Sequence, residues 1–217
     1  MSRIRIAPIV EGHGECSCIR TLLDRVWREA CGGAYTEVLQ PVRRPRSKMI
    51  KYDRATRRIV LGREEVDRAI RLAAMKLGAR ADDQTPSLIL LMLDADEDCP
   101  KEIAELMQEA ELHIDPQIGL STVFPKIEYE TWFVAAAPSL TDCLTLHESD
   151  ADIDDPEAAG CGKSWVEQRF VGGSYSETLD QVKLTARMDL QLCRERSRSF
   201  DKLCRELERF RSREPRA

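Results

Sequence analysis

The chain has 217 residues, 33 of them basic and 38 acidic, with a formal net charge of −5 and 42% apolar residues. A chain of this length can bury about 70% of its unfolded surface, so disorder is excluded and one domain with an appendage is expected. An apolar run such as Leu88 to Leu93 falls far short of the roughly 20 residues of a membrane span, and MSRIRIAPIVEG lacks a signal-peptide core. The expected protein is cytoplasmic, with no membrane partner.

Ile4 to Val10 reads as the first strand, leading into a glycine-rich turn. From Glu15 to Cys31 the apolar set Ile19, Leu22, Leu23, Val26, Trp27 and Ala30 has helical spacing, ended by Gly32-Gly33. A second strand is expected at Glu37 to Val42, then a long basic loop. Val66, Ala69, Ile70, Ala73 and Leu77 mark a helix closed by Gly78. The continuous run Ser87 to Leu93 suits a strand covered on both faces of a parallel sheet. A helix from Pro100 to Ala110, a strand at Gln117 to Phe124 and a short helix at Ile127 to Ala137 follow. Beyond Pro138 only helices and loops are expected: a helix over Tyr175 to Leu190, and a last one capped by Ser199 with Phe200, Leu203, Cys204, Leu207 and Phe210 on one face. The tail after Arg211 is expected to fray.

This alternation predicts an α/β fold, a central mainly parallel four-stranded sheet flanked by helices. Residues 1–137 would form the α/β domain and residues 138–217 a helical extension packed on it. The eight cysteines are scattered without any CxxC pair, so reduced, mostly buried thiols are expected rather than disulfides or structural zinc. Trp27, Trp132 and Trp165 read as core or interface anchors. His13 lies in the glycine-rich turn and reads as solvated; His113 and His147 have no partners at ligand spacing.

Charge is segregated. Residues 43–58 hold eight basic side chains and one acid; residues 94–111 hold eight acids and one lysine. The first segment, with Arg43, Arg44, Arg46, Lys48, Lys51, Arg54, Arg57 and Arg58, suits the backbone of DNA or RNA, or else a solvated loop. The acidic run Glu148 to Glu157 reads as solvated.

In an open α/β sheet, ligands bind beyond the carboxyl ends of the strands. The first strand ends in Glu11-Gly12-His13-Gly14-Glu15 and the later apolar strand in Asp94-Ala95-Asp96-Glu97-Asp98. Parallel, neighbouring strands would bring Glu11, Asp94 and Asp96 to one edge. Hard carboxylates there would repel unless a divalent cation such as Mg²⁺ offset them, with Asp98 in reach. Gly12 and Gly14 would let the backbone turn tightly beside that site.

Glu11-Gly12 and Asp94-Ala95-Asp96 resemble the signature of the Toprim superfamily, the catalytic fold shared by topoisomerases, bacterial primases, small nucleases and OLD-family nucleases. Pro125 to Phe133 (PKIEYETWF), Tyr175 to Asp180 and Ser197 to Leu203 look like segments of a bacterial, Toprim-like branch. The resemblance implies a Mg²⁺-dependent enzyme, with Mn²⁺ able to substitute, that cuts phosphodiesters. Glu11 would be general base or metal ligand, and Asp94 and Asp96 would hold the metal. Either Glu128 or Glu130, with Glu128 preferred, would complete a second metal site, because two residues apart on a helix they point differently. Lys126 would offset charge in the transition state. With no clear tyrosine nucleophile, hydrolysis by activated water is expected. OLD-family relatives join this fold to an ATPase. By that analogy the chain would serve a separate ATPase subunit in phage defence, either as nuclease or as a non-catalytic binding or regulatory subunit, with a homodimer as a further expectation.

Three rivals fit less well. Asp94 to Glu105 mimics an EF-hand loop but has Cys99 where the turn needs glycine. A haloacid-dehalogenase-type phosphatase also uses Asp-x-Asp, but that motif follows its first strand and would leave Glu11 without a role. Gly160 to Ser164 imitates a phosphate loop, yet Glu157 stands at the first glycine position and no apolar strand precedes it.

Overall fold

A computed structural model describes residues 3–78, 85–109, 116–151, 153–158 and 162–211. Strand β1 (Arg3–Val10) leads into α1 (His13–Arg25), which runs on as a π-helical stretch, Val26–Ala30. Then come β2 (Tyr35–Val38), β3 (Val42–Arg43), α2 (Arg46–Met49), β4 (Ile50–Asp53), β5 (Arg58–Leu61) and α3 (Arg63–Gly78). The second half holds β6 (Ser87–Met92), α4 (Pro100–Glu109), β7 (Ile118–Val123), α5 (Thr131–Ala135), α6 (Glu148–Ala151), α7 (Lys163–Arg169), α8 (Asp180–Arg187), α9 (Leu190–Arg196) and α10 (Arg198–Arg211).

The central sheet is parallel throughout. β2 and β3 both lie on one side of β1, β6 on the other, and β7 beyond β6. The chain therefore winds outward from β1 in one direction and then returns past it in the other, so strand order reverses between β1 and β6. Successive side chains of β1 alternate between faces and divide the core. Ile4, Ile6 and Val10 enter one cluster with α1, α5 and α8 to α10, whereas Ala7 and Ile9 enter another with α3 and α4. Leu184, Met188, Leu190, Phe200, Leu203 and Phe210 share the first cluster, so residues beyond 138 supply about half of one layer over the sheet.

Four expectations are corrected. The helix expected over Tyr175 to Leu190 is confined to Asp180–Arg187, with α9 beginning at Leu190. The strand foreseen at Glu37 to Val42 is two short strands, so the sheet has five strands rather than four. The carbonyls of Ile6 and Val10 face this edge, accepting from Leu39 and Arg44. Pro8 is in phase with them but has no N–H to give, and Pro41 lacks one too, so pairing lapses between Ile6 and Ile9. The basic stretch is no loop either, for it carries α2 and the antiparallel β4–β5 hairpin. Asp53 starts its turn, accepting from Ala55 N at 2.9 Å and Thr56 Oγ1 at 2.7 Å. Finally, α10 is capped by Ser197 rather than Ser199. Ser197 Oγ accepts from Phe200 N at 3.1 Å, while Ser199 Oγ accepts from the buried indole of Trp132 at 2.8 Å.

Trp27, Trp132 and Trp165 are core residues. Cys18, Cys31, Cys193 and Cys204 are buried free thiols, Cys16 and Cys143 are part-buried, and Cys99 is exposed. His13 and His147 are exposed. His113 and the tail after Arg211 lie outside the described residues. No described helix is long and apolar enough to cross a membrane.

Candidate functional site

Glu11 follows β1 and Asp94 follows β6, two hydrogen-bonded neighbours, so both acids emerge where the strand order reverses. Glu11 is half-buried, and its Oε2 is shielded from solvent with no hydrogen-bond partner. Burial, with Asp96 and Glu15 nearby, raises its carboxyl from 4.5 to about 7, although the backbone N–H of Arg46 pulls the other way. Asp94 is pushed well above the ordinary carboxylate range by burial first, then by Glu15, Glu11, Glu130 and Glu128.

Glu15 belongs to this group. It occupies the first turn of α1 and its Oε2 accepts from Gly12 N at 2.9 Å, the reciprocal contact of a capping box. Burial raises its carboxyl, and Glu177 and Glu128 add repulsion. The glycines serve closeness rather than a turn, since neither Gly12 nor Gly14 has a positive φ. A Cβ on Gly14 would lie 2.0 Å from Gln181 Oε1, a fully buried atom without a partner.

The loops after β6 and β7 are tied together. Asp96 N donates to Ile127 O at 2.8 Å, and both residues hold left-handed backbone, φ 49° and 65°. That conformation is unusual for aspartate and costly for β-branched isoleucine, and it marks a site over-determined by its surroundings. Thr131 Oγ1 donates to Glu128 O at 2.7 Å and Lys126 O at 3.1 Å, holding the second loop. Helix α5 thus starts only at Thr131, and the helical argument that separated Glu128 from Glu130 does not apply. Both lie close enough to Asp94 to raise it. Glu130 is buried, receives a hydrogen bond from Tyr175 Oη at 2.9 Å, and is raised from 4.5 to about 7 by burial and then by Glu128.

Cations bracket the cluster. Arg46, one of the residues expected on a surface track, is turned inward: Nε donates to Asp94 O at 2.8 Å, and the guanidinium pairs with Asp96 at 3.1 Å and with Asp98. Lys126 Nζ donates to Asp98 O at 3.1 Å, so it ties down the acidic loop. Lys163 pairs with Glu177 at 2.6 Å, and its backbone N–H donates to Glu128. Of the other basic candidates, Arg43, Lys48, Lys51, Arg54, Arg57 and Arg58 are exposed, while Arg44 is part-buried near Glu65 at 3.7 Å.

The structure therefore brings Glu11, Asp94, Glu128 and Glu130 together, and places Asp96 and Asp98 on Arg46 at the rim. Among the described residues, no three His, Cys, Asp or Glu side chains stand close enough to hold a metal ion between them. Sequence reasoning missed Glu15, Glu177, Gln181 and the inward role of Arg46. Only Glu15 had a local signal, its place three residues after Gly12.

A family model described as a domain of unknown function, DUF4276, matches residues 10–208, which include every acid of this centre. No curated protein and no solved structure matches the chain.

Proposed function

The chain belongs to the DUF4276 family, and we propose that it is a Toprim-like, Mg²⁺-dependent phosphodiesterase that cleaves nucleic acid with water as the nucleophile. The observation that carries this reading is Glu11. It is a carboxylate with a buried, unpartnered oxygen, set beside Asp94 where strand order reverses, and raised to about 7. The donors are all hard oxygens whose mutual repulsion a divalent cation would relieve, which suits Mg²⁺ or Mn²⁺. Glu11 and Asp94 would hold the ion, with Asp96 joining once it leaves Arg46, and with Glu128 or Glu130 adding charge from the facing loop. A bound Mg²⁺ supplies a Lewis acid and lowers the pKa of water at such a site. Glu11 would serve as ligand or as general base, not as both at once: left unbound, it would accept a proton from the attacking water. Lys126 would face the negative charge gathering on phosphorus.

The test is incubation of DNA and RNA with Mg²⁺ or Mn²⁺, comparing the wild type with Asp94→Asn. Cleavage that falls by at least about a hundredfold in the variant is expected. A second reading, a non-catalytic subunit of an ATPase complex, is favoured by the engagement of Asp96 and Asp98 with Arg46. It prevails if both proteins are inert, alone and with any co-purifying ATPase, and metal leaves the melting temperature unchanged.

A further inference from the structure

Beside the acidic centre lies a second concavity, an open cleft of about 600 Å³ between α4, β7 and α10. The two share a wall. Lys126 lines the cleft while its Nζ binds the carbonyl of Asp98, and Cys99 on the mouth ends the loop that Asp94 begins.

The cleft has two chemical halves. Phe124, Ala104 and Pro100 give it an apolar floor, and Lys101, Lys126, Arg198 and Lys202 surround that floor with positive charge. Two acids, Glu157 and the exposed Asp155, also line it against the four basic side chains, and each accepts hydrogen bonds from its own surroundings. Glu157 Oε1 accepts from Ser197 Oγ at 2.7 Å and from Ser199 N at 2.9 Å, and Asp155 Oδ1 accepts from Glu157 N at 3.0 Å. Lys202 is paired with Glu206, Lys101 is held only loosely, 3.7 Å from Glu105, and Arg198 has no ion pair among the described residues.

An apolar floor with a cationic rim selects a ligand that is flat and greasy at one end and anionic at the other, and this volume is that of one small-molecule site. We propose that the cleft receives a single nucleotide unit, its base over Phe124 and Ala104 and its phosphate among Lys101, Arg198 and Lys126. This rests on the phosphodiesterase reading and names its substrate class, since a nucleotide seated here directs its next phosphodiester past Lys126 toward Glu11 and Asp94.

The experiment reads binding alone, by calorimetry in EDTA, so that absent cleavage does not bear on it. Adenosine 5′-monophosphate, adenosine and inorganic phosphate are titrated into wild type, Lys101→Glu/Arg198→Glu and Ala104→Phe, each first shown to melt like wild type. The expected result is that the nucleotide binds more tightly than phosphate or adenosine, and that either variant weakens it roughly tenfold or more. Equal binding of nucleotide and phosphate would leave an anion site only and overturn the proposal, as would no nucleotide binding, or binding that both variants leave unchanged. Hydrolysis of DNA or RNA by a protein that fails this test would keep the enzyme and place its base contacts elsewhere.

Discussion

Glu130 shows what the centre costs at the scale of one side chain. It is 4% exposed, and its carboxylate accepts a hydrogen bond from Tyr175 Oη. Burial and the neighbouring Glu128 raise it from 4.5 to about 7, so above neutrality the fold carries a buried charge that the unfolded chain would solvate freely. Glu130→Gln keeps an acceptor for Tyr175 and removes the charge. At pH 8 the variant should be more stable than wild type by on the order of 2 kcal/mol, and near pH 4 the gain should almost vanish. Urea denaturation at the two pH values checks this; a variant equally destabilised at both would mean that Glu130 is a structural acceptor and nothing more. Arg46 shows the opposite economy. It offsets Asp96 and Asp98 and binds the Asp94 carbonyl, so the acidic loop keeps one shape without an added cation.

At the scale of elements, the seating of α10 on β7 decides whether the cleft exists. Helix α10 buries Phe200, Leu203, Cys204, Leu207 and Phe210 on one face, and Glu206 on the same side accepts from Ser121 Oγ of β7 at 2.9 Å. The close approach depends on Gly119. A Cβ there would lie 2.3 Å from the ring of Phe210. Gly119→Val should therefore push α10 outward and destabilise the protein by about 2 kcal/mol. Pairing it with Phe210→Leu should recover part of that loss; a double variant no better than the sum of two single losses would put the strain elsewhere. The periodicity of α10 was plain in the sequence, but that its partner strand needed glycine was not, because steric room is a property of two surfaces together.

Over the whole molecule, the two core layers bring five segments to one end of the sheet: the ends of β1, β6 and β7, the start of α1 and the turn before α8. The resulting acids give stability a definite pH dependence. Glu11 and Glu130 both rise from 4.5 to about 7, and Asp94 is raised well above its ordinary value. A carboxyl whose folded pKa exceeds its unfolded value favours folding fully below the unfolded value and loses that contribution as pH climbs through the folded one. The melting temperature at constant ionic strength should thus fall between pH 5 and pH 8, and Mg²⁺ should restore more of it at pH 8 than at pH 5. A flat or rising profile in metal-free buffer would contradict the raised carboxyls.

Local pattern alone determined the apolar strand Ser87 to Met92, the stripe of α3, and the placing of Glu11 and Asp94 directly after strands, because burial on one or both faces writes its period into consecutive residues. It also hid the β4–β5 hairpin inside a charged stretch, where Ile50, Ile59 and Leu61 are too few to stand out. Only the tertiary structure decided that Arg46 turns inward, that Glu128 and Glu130 both lie near Asp94, and that Glu15, Glu177 and Gln181 join them. Those meetings depend on loop geometry and on packing between segments far apart in the chain, and no periodicity of neighbouring residues encodes the distance between two charges that only folding brings together.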